Sequence, residues 1–412
     1  MAQPAMTSNT PFANNYAREV PLIDHGRGVW LWDANGTRYL DFGSGIAVNA
    51  LGYGDRRLAK AVEKQMRRLV HVSNLYATAP GIELGRRLLD LSQAVGRRPF
   101  TAVHFGNSGA EANEGAIKYA RLFAHETRGP GHHRILSLTN GFHGRTMGAL
   151  SATPKQAYRT KFEPLVPGFD VIPFNDPEEV LRAIDETVAA VIVEVVQGEG
   201  GLELLSEDMV AALNHRTAET GTLLVADEIQ TGLGRLGELF GSTTVGLTPD
   251  IICLSKPLAG GLPMSATLIP AAVNDLLTPG DHGTTFGGGP TTATAAMYVL
   301  DRLTEPEFLP RVRQTAEVLD QELQGMADEF PCIVNLRGRG LLRGLQIDLG
   351  PDQDRLFPEI LSAARDQGLL ILRSGSDVVR IAPPLIIRES EIRRGIDLLR
   401  STMNTINSRR NV

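Results

Sequence analysis

Hydrophobic positions recur along this chain with two different periods. Residues 29–42 (VWLWDANGTRYLDF) alternate apolar and polar around Asn35-Gly36, the pattern of a β-hairpin closed by a tight turn. From about residue 55 the period lengthens. Stretches 55–69, 81–95 and 109–127 predict helices. Interleaved with them, short apolar runs at 101–105, 134–138, 189–196, 222–226, 250–254 and 265–269 read as strands buried on both faces. Strand and helix alternating in this way predict an α/β fold, with a mostly parallel sheet covered by helices on both sides.

The tail changes character. A long helical pattern at 306–329 is followed by strand-like runs at 332–336, 341–349, 369–373 and 378–382. A final amphipathic helix places Ile392, Ile396, Leu399, Met403 and Ile406 at three- and four-residue steps. This order suggests a smaller α+β lobe, which the early hairpin joins. At 412 residues the chain is too long for one core. The expected division is an N-terminal segment over 1–60 contributing to a small domain, a large domain over 61–310, and the C-terminal part of the small domain over 311–412. Residues 1–15 are small and polar and read as a loose arm.

Composition narrows the classes. With 41 basic against 47 acidic residues and no long run of either sign, nothing favours nucleic acid or an anionic membrane as a partner. No stretch of about 18 apolar residues is present to span a bilayer, and the N-terminus lacks a basic stretch followed by an apolar one, so no signal peptide is expected. The two cysteines, Cys253 and Cys332, sit in apolar runs and read as buried thiols, not a disulfide or a metal site. That fits a reducing cytoplasm.

Candidate chemistry gathers at the ends of the apolar runs. Lys256 follows DIICLS and precedes a Pro and a Gly pair; a lysine made neutral by desolvation is a Schiff-base nucleophile. Asp227 ends LLVAD, where open α/β sheets bind ligands. Lysine plus a carboxylate able to hold a protonated pyridine nitrogen is the pair that pyridoxal 5′-phosphate (PLP) chemistry needs. Ser108-Gly109-Ala110 open a helix after TAVHF, a place for a phosphate or simply a capped helix end. In the loop 140–146 (NGFHGRT), Phe142 can stack on a flat ring and Arg145 can grip a carboxylate, while His143 is either functional or packed. Glu199 lies among glycines beyond a strand, as a loop carboxylate or a ligand group. Glu194 sits inside that strand and needs a partner. The loop 282–289 (HGTTFGGG) offers hydroxyls to a phosphate or is only a turn. Arg380 lies in an alternating run, where arginines usually face water.

Taken in order, NSGAEANEGAIKYAR, FHGRT, VEVVQGEGG, ADEIQTGLGRLGELF, TPDIICLSKPLAGG, HGTTFGG, LRGRGLL and VVRIAPPLII make the chain resemble the class III (subgroup II) PLP-dependent aminotransferases from about Ala17 to near residue 400. Within that family the acetylornithine aminotransferase branch is the most similar. The resemblance implies a fold type I PLP-dependent transferase, working as a homodimer with shared active sites. It implies that Lys256 carries the cofactor and shuttles the substrate proton, that Asp227 holds the pyridinium nitrogen, that Phe142 stacks on the ring and that Gln230 contacts its phenolic oxygen. His143 is counted with the cofactor-binding group. Ser108, Gly109 and Ala110 are expected to cradle the phosphate, and Thr285 to reach the phosphate of the neighbouring subunit. Arg145 is expected to bind a substrate carboxylate and Arg380 the α-carboxylate of glutamate or 2-oxoglutarate, with Glu199 pairing with Arg380 when the ω-amino substrate is present. Tyr16, Asn74 and Tyr76 are candidates at the entrance.

The implied reaction moves the δ-amino group of N2-acetylornithine to 2-oxoglutarate, giving N-acetylglutamate 5-semialdehyde and glutamate, a step of arginine synthesis. Other donors stay open: ornithine, N-succinylornithine, N-succinyldiaminopimelate, 4-aminobutyrate or an acylated lysine. So does a glutamate-1-semialdehyde aminomutase, an isomerase that needs no external acceptor. The chain departs from the usual family pattern at Val195, Pro257 and Gly289. None of these removes a catalytic group, although Pro257 is expected to restrict Lys256 to an extended backbone.

Overall fold

The computed structural model describes residues 12–16 and 21–410. Its centre is a seven-stranded sheet in the order Phe100–Gly106, Ser265–Pro270, Ile251–Leu254, Leu223–Asp227, Val188–Val193, Arg134–Leu138 and Phe169–Ile172. Every pairing from Ile251–Leu254 to Phe169–Ile172 is parallel, whereas Ser265–Pro270 runs antiparallel to both its neighbours. The sheet is therefore mostly parallel, as the apolar runs predict.

The continuous apolar character of these strands has a direct physical cause. Alternate residues enter two different cores. Val191, Val193, Leu224, Ala226, Ile252 and Leu254 pack into the larger one. Ala190, Ile192, Leu223, Val225, Ile251 and Cys253 pack into the other, against Ala112, Ala116 and Ala120 of the helix Gly109–Arg128. Both faces are dry, so neither tolerates the polar residue that a half-exposed strand carries at every second position.

Two four-stranded sheets are built from the chain ends. The hairpin Trp30–Asp33 and Arg38–Asp41 forms around Gly36, whose φ of +85° needs a residue free of Cβ strain. An edge strand, Ile23–Arg27, extends it on one side, and Leu369–Leu370 pairs parallel with Arg38–Asp41 on the other. The early hairpin thus joins the tail. The second small sheet is antiparallel, in the order Ile333–Arg339, Leu342–Ile347, Val378–Ile381, Leu372–Ser374. The run 369–373, read as one strand, is split between the two sheets. The closing helix Glu389–Arg410 buries Ile392, Ile396, Leu399, Met403 and Ile406, the stripe its periodicity predicts. No helix among the described residues is long and apolar enough to cross a membrane. Cys253 and Cys332 are both buried.

Candidate active site

The chemical residues converge because they sit at or just beyond the carboxyl ends of the parallel strands, where the chain leaves the sheet. Asp227 is the last residue of its strand and is 3% exposed. Its Oδ2 accepts from Asn113 Nδ2 and is paired with His143 Nδ1, both at 2.8 Å, and its Oδ1 accepts from the Ile229 amide at 3.1 Å. Asn113 lies on the helix Gly109–Arg128 and also donates to the His143 carbonyl, which ties that helix, the loop 140–146 and the strand end together. Burial pulls the His143 imidazole down, but the Asp227 hydrogen bond and the charges of Asp227 and Glu194 outweigh it, so its pKa is raised. Sequence reasoning groups His143 with the cofactor contacts and passes over Asn113. The geometry makes both of them supports of Asp227.

Glu194, whose partner the sequence did not reveal, is satisfied by backbone. Its Oε2 accepts from the Phe142 amide at 2.9 Å and its Oε1 from the Gly198 amide at 3.3 Å. Burial lifts this carboxyl to about 7, against the opposing charge of His143.

Lys256 opens a short 3₁₀ turn, Lys256–Ala259, directly after Ser255. Its φ is +32°, which overturns the expectation of an extended backbone before Pro257. The chain reverses at once here. Ser255 Oγ donates to the Met264 carbonyl at 2.8 Å, and the Leu258 amide donates to the Ser255 carbonyl at 2.8 Å, so the turn is held from both sides. A non-glycine residue at positive φ costs about 1–3 kcal/mol and persists only where its surroundings impose it. Lys256 is partly open to the cleft yet closely surrounded by protein. Desolvation, with the positive charge of Arg380, lowers its ammonium to about 8, against the pull of Glu199, Asp227 and Glu194.

Across the site, Arg380 is carried on the strand Val378–Ile381 and is 3% exposed, not solvated as strand arginines usually are. One of its terminal nitrogens donates to the Gly198 carbonyl at 2.8 Å, to Glu199 Oε1 at 2.7 Å and to Gln230 Oε1 at 3.2 Å. Its Nε is buried with no partner among the described residues. Gly198 allows this convergence, because a Cβ there would collide with the Gln230 amide.

The third group is aromatic. Phe142 meets Tyr158 edge-on with ring centroids 6.2 Å apart, and the Arg145 guanidinium lies 3.6 Å from the Tyr158 ring centre and 5.5 Å from that of Phe142. Tyr158 was not anticipated from sequence. A lone tyrosine between a lysine and an arginine carries no distinguishing pattern.

The residues present fit PLP. Asp227 is a buried carboxylate whose Oδ1 holds a single amide, so it retains acceptor capacity for a ring N–H. Ser108 caps the helix Gly109–Arg128 through the Glu111 amide, and the first-turn amides of Gly109 and Ala110 suit an anion. Thr285, Asn74 and Tyr76 stand apart from this cluster. They line a separate cavity of about 390 Å³, in which Asn74 Nδ2 donates to the carbonyls of Thr284 and Gly287 at 3.0 Å. Tyr16 is 71% exposed.

A sheet of this order, with a desolvated lysine and a buried carboxylate at its strand ends, defines a fold type I PLP-dependent transferase of the aminotransferase kind. The sequence comparisons agree, and the chain belongs to the class-III aminotransferase family, whose model matches residues 12–403. Similar proteins include a probable mitochondrial acetylornithine aminotransferase of Dictyostelium discoideum, 40% identical over 96% of this chain and 86% of its own length. An acetylornithine aminotransferase of Aquifex aeolicus is 39% identical over 96% and 100%. Among solved structures, N-acetylornithine aminotransferase of Stenotrophomonas maltophilia K279a superposes with a TM-score of 0.82 at 32% identity, covering 95% of this chain and 98% of that one. Ornithine aminotransferase of Toxoplasma gondii, crystallized with partial occupancy of PLP at its active site, gives 0.90 at 30% identity, covering 97% and 93%.

Proposed function

We propose that this enzyme transfers the δ-amino group of N2-acetylornithine to 2-oxoglutarate, yielding N-acetylglutamate 5-semialdehyde and glutamate, as part of arginine synthesis. The relatives named for this reaction span nearly the whole chain. The observation that carries the reading is the ion pair between Arg380 and Glu199 at 2.7 Å, beside Gln230 and within the field of Lys256. A transferase that takes both a monoanionic ω-amine and a dicarboxylate needs one position to be cationic for the second and neutral for the first. Glu199 is the more exposed partner, 25% against 3%, so it is the one that withdraws when an α-carboxylate arrives for Arg380.

When bound, PLP supplies an electron-poor ring that accepts the electron pair of the cleaved C–H bond. Lys256, whose ammonium desolvation lowers to about 8, would hold the cofactor through its Nζ and, once released by substrate, would be the base that carries the proton of the donor's reacting carbon. Asp227, braced by His143 and Asn113, would hold the pyridine nitrogen in its protonated form. Gln230 would meet the phenolic oxygen, Phe142 the ring face, and Ser108, Gly109 and Ala110 the phosphate. Arg145 binds the carboxylate at the far end of either substrate.

The same reading includes a homodimer. Tyr76, 68% exposed, lines the cavity that holds Thr285, and its chain neighbour Leu75 and Thr285's neighbour Phe286 are 87% and 65% exposed; a second copy would cover them and bring Thr285 to that copy's phosphate. The reading includes a reducing compartment such as the cytoplasm, which two cysteines buried in apolar surroundings fit. Half-reactions test the donor. Holoenzyme is mixed separately with N2-acetylornithine, ornithine, N-succinylornithine and 4-aminobutyrate, and conversion of the cofactor to its amine form is followed by absorbance. Fastest conversion by N2-acetylornithine is expected. A faster rival would move the enzyme to another pathway, and turnover without 2-oxoglutarate would favour an isomerase.

A further inference from the structure

We infer that Lys155 is a specificity residue for the amino donor, gripping the donor's carboxylate together with Arg145 across the face of Tyr158. The inference rests on the reading of Arg145 given above and adds a residue to it. Lys155 Nζ lies 4.8 Å from the centre of the Tyr158 ring, the same ring over which Arg145 sits at 3.6 Å. One aromatic platform thus gathers two cations, and neither has a carboxylate partner among the described residues. The acids of the adjoining cleft are committed elsewhere. Glu199 pairs with Arg380 at 2.7 Å, Glu203 with Arg337 at 2.8 Å, and Asp377 accepts from Gln346 at 2.8 Å. Lys155 lines that cleft, of about 760 Å³, with Glu199 and Tyr158. Two unpaired cations, beside Glu199 and Glu203 that arginines already neutralise, form a site that suits an anionic substrate end.

The order of the contacts gives the specificity. Arg145 reaches both Phe142 and Tyr158, whereas Lys155 lies over Tyr158, one ring further from the cofactor-stacking position. In N2-acetylornithine the carboxylate lies one carbon further from the reacting carbon than the distal carboxylate of glutamate or 2-oxoglutarate does. The longer donor brings its carboxylate into the reach of Lys155, and the shorter acceptor stops at Arg145. Lys155 therefore discriminates between the two half-reactions.

The test compares Lys155→Met, Lys155→Arg and Arg145→Met holoenzymes with N2-acetylornithine, 2-oxoglutarate and the decarboxylated donor N-acetylputrescine. Lys155 is exposed, so its variants retain the fold. Lys155→Met is expected to raise KM for N2-acetylornithine roughly two- to fivefold at unchanged kcat, the range an exposed charge pair allows. It should leave KM for 2-oxoglutarate and kcat/KM for N-acetylputrescine unchanged, and Lys155→Arg should restore the donor KM. An unchanged donor KM in Lys155→Met overturns the inference, as does an equal loss with N-acetylputrescine, which would mark a structural role. Arg145→Met separates the two readings. If it raises the KM of both carboxylate substrates while Lys155→Met does nothing, only the role of Lys155 falls; if it too does nothing, the role of Arg145 falls first.

Discussion

Asp227 and Glu199 are both carboxylates within the field of Lys256, yet they are held in opposite ways. Asp227 is 3% exposed and bonded to Asn113, His143 and the Ile229 amide, so protein groups brace both of its oxygens. Glu199 keeps a quarter of its side chain in water and meets one guanidinium nitrogen through one oxygen. Breaking a fully buried charged contact costs about 3–5 kcal/mol, whereas a carboxylate that already keeps water contact pays less to leave its partner. The first arrangement suits a charge that must never move during turnover. The second suits a charge that changes partner in every cycle. Rigidity and exchange are thus assigned to two ends of one site by how many protein donors each carboxylate receives.

The sharpest way to break this comparison is to remove the group both ends serve. Lys256→Ala is expected to lower kcat by about 10⁴-fold or more, because no other described side chain stands in for the proton carrier. Single-turnover absorbance with donor in excess checks it, and retention of more than a hundredth of the rate would overturn the role. Asp227→Asn keeps the shape of the fixed end but removes its charge. It should cost roughly 10²–10³-fold in kcat, the scale of losing one preorganised electrostatic group, with cofactor still bound. A loss confined to KM would mean that Asp227 only anchors.

The fixed end was legible in the sequence and its supports were not. Asp227 and Lys256 stand out because a charged residue ending a doubly buried apolar run has few structural explanations. Glu194 stood out for the same reason, but its partners are the amides of Phe142 and Gly198, and backbone N–H groups leave no mark in a sequence. Asn113 was hidden inside a helix whose other buried residues are mainly small and apolar. The strands missed were Ile23–Arg27, a polar edge strand, and Phe169–Ile172, whose Asp170 and Val171 face solvent at the sheet's edge. The helix Gln353–Asp366 carries Pro358 and so breaks the expected pattern. Arg380 was legible as an arginine on a strand, but its burial depends on loops that converge from far along the chain.

Desolvation at the fixed end also sets a pH dependence. With its ammonium lowered from 10.5 to about 8, the apoenzyme's Lys256 becomes half neutral near pH 8. The rate at which apoenzyme captures PLP should climb roughly fiftyfold between pH 6 and 8 and then level off. An ordinary lysine would keep gaining past pH 10, and that profile would show that the pocket does not desolvate it. At the exchanging end the expected effect is smaller. Glu199→Ala should slow the N2-acetylornithine half-reaction by about tenfold, because the donor then meets an uncompensated Arg380, while glutamate turnover stays within about twofold. Equal losses in both half-reactions would refute the exchange.

The smallest effect concerns Glu194, which stands between the two ends by joining the loop of Phe142 to that of Gly198. Its carboxyl is raised from 4.5 to about 7 by burial, so the folded protein binds a proton there that the unfolded chain has already released. The corresponding stability is fully present below about pH 4.5 and is lost as pH rises through 7. Glutamine cannot titrate, so Glu194→Gln should flatten the fall in apoenzyme Tm over that window by a few degrees relative to the parent, on the order expected for ~1–3 kcal/mol in a chain of this size. The variant should also be less stable at pH 5, because the amide NH₂ faces one of two backbone N–H donors and leaves it unsatisfied. Parallel Tm curves for the two proteins between pH 4.5 and 7 would mean that Glu194 does not titrate there, and that His143 and Asp227 alone set the charge of the fixed end.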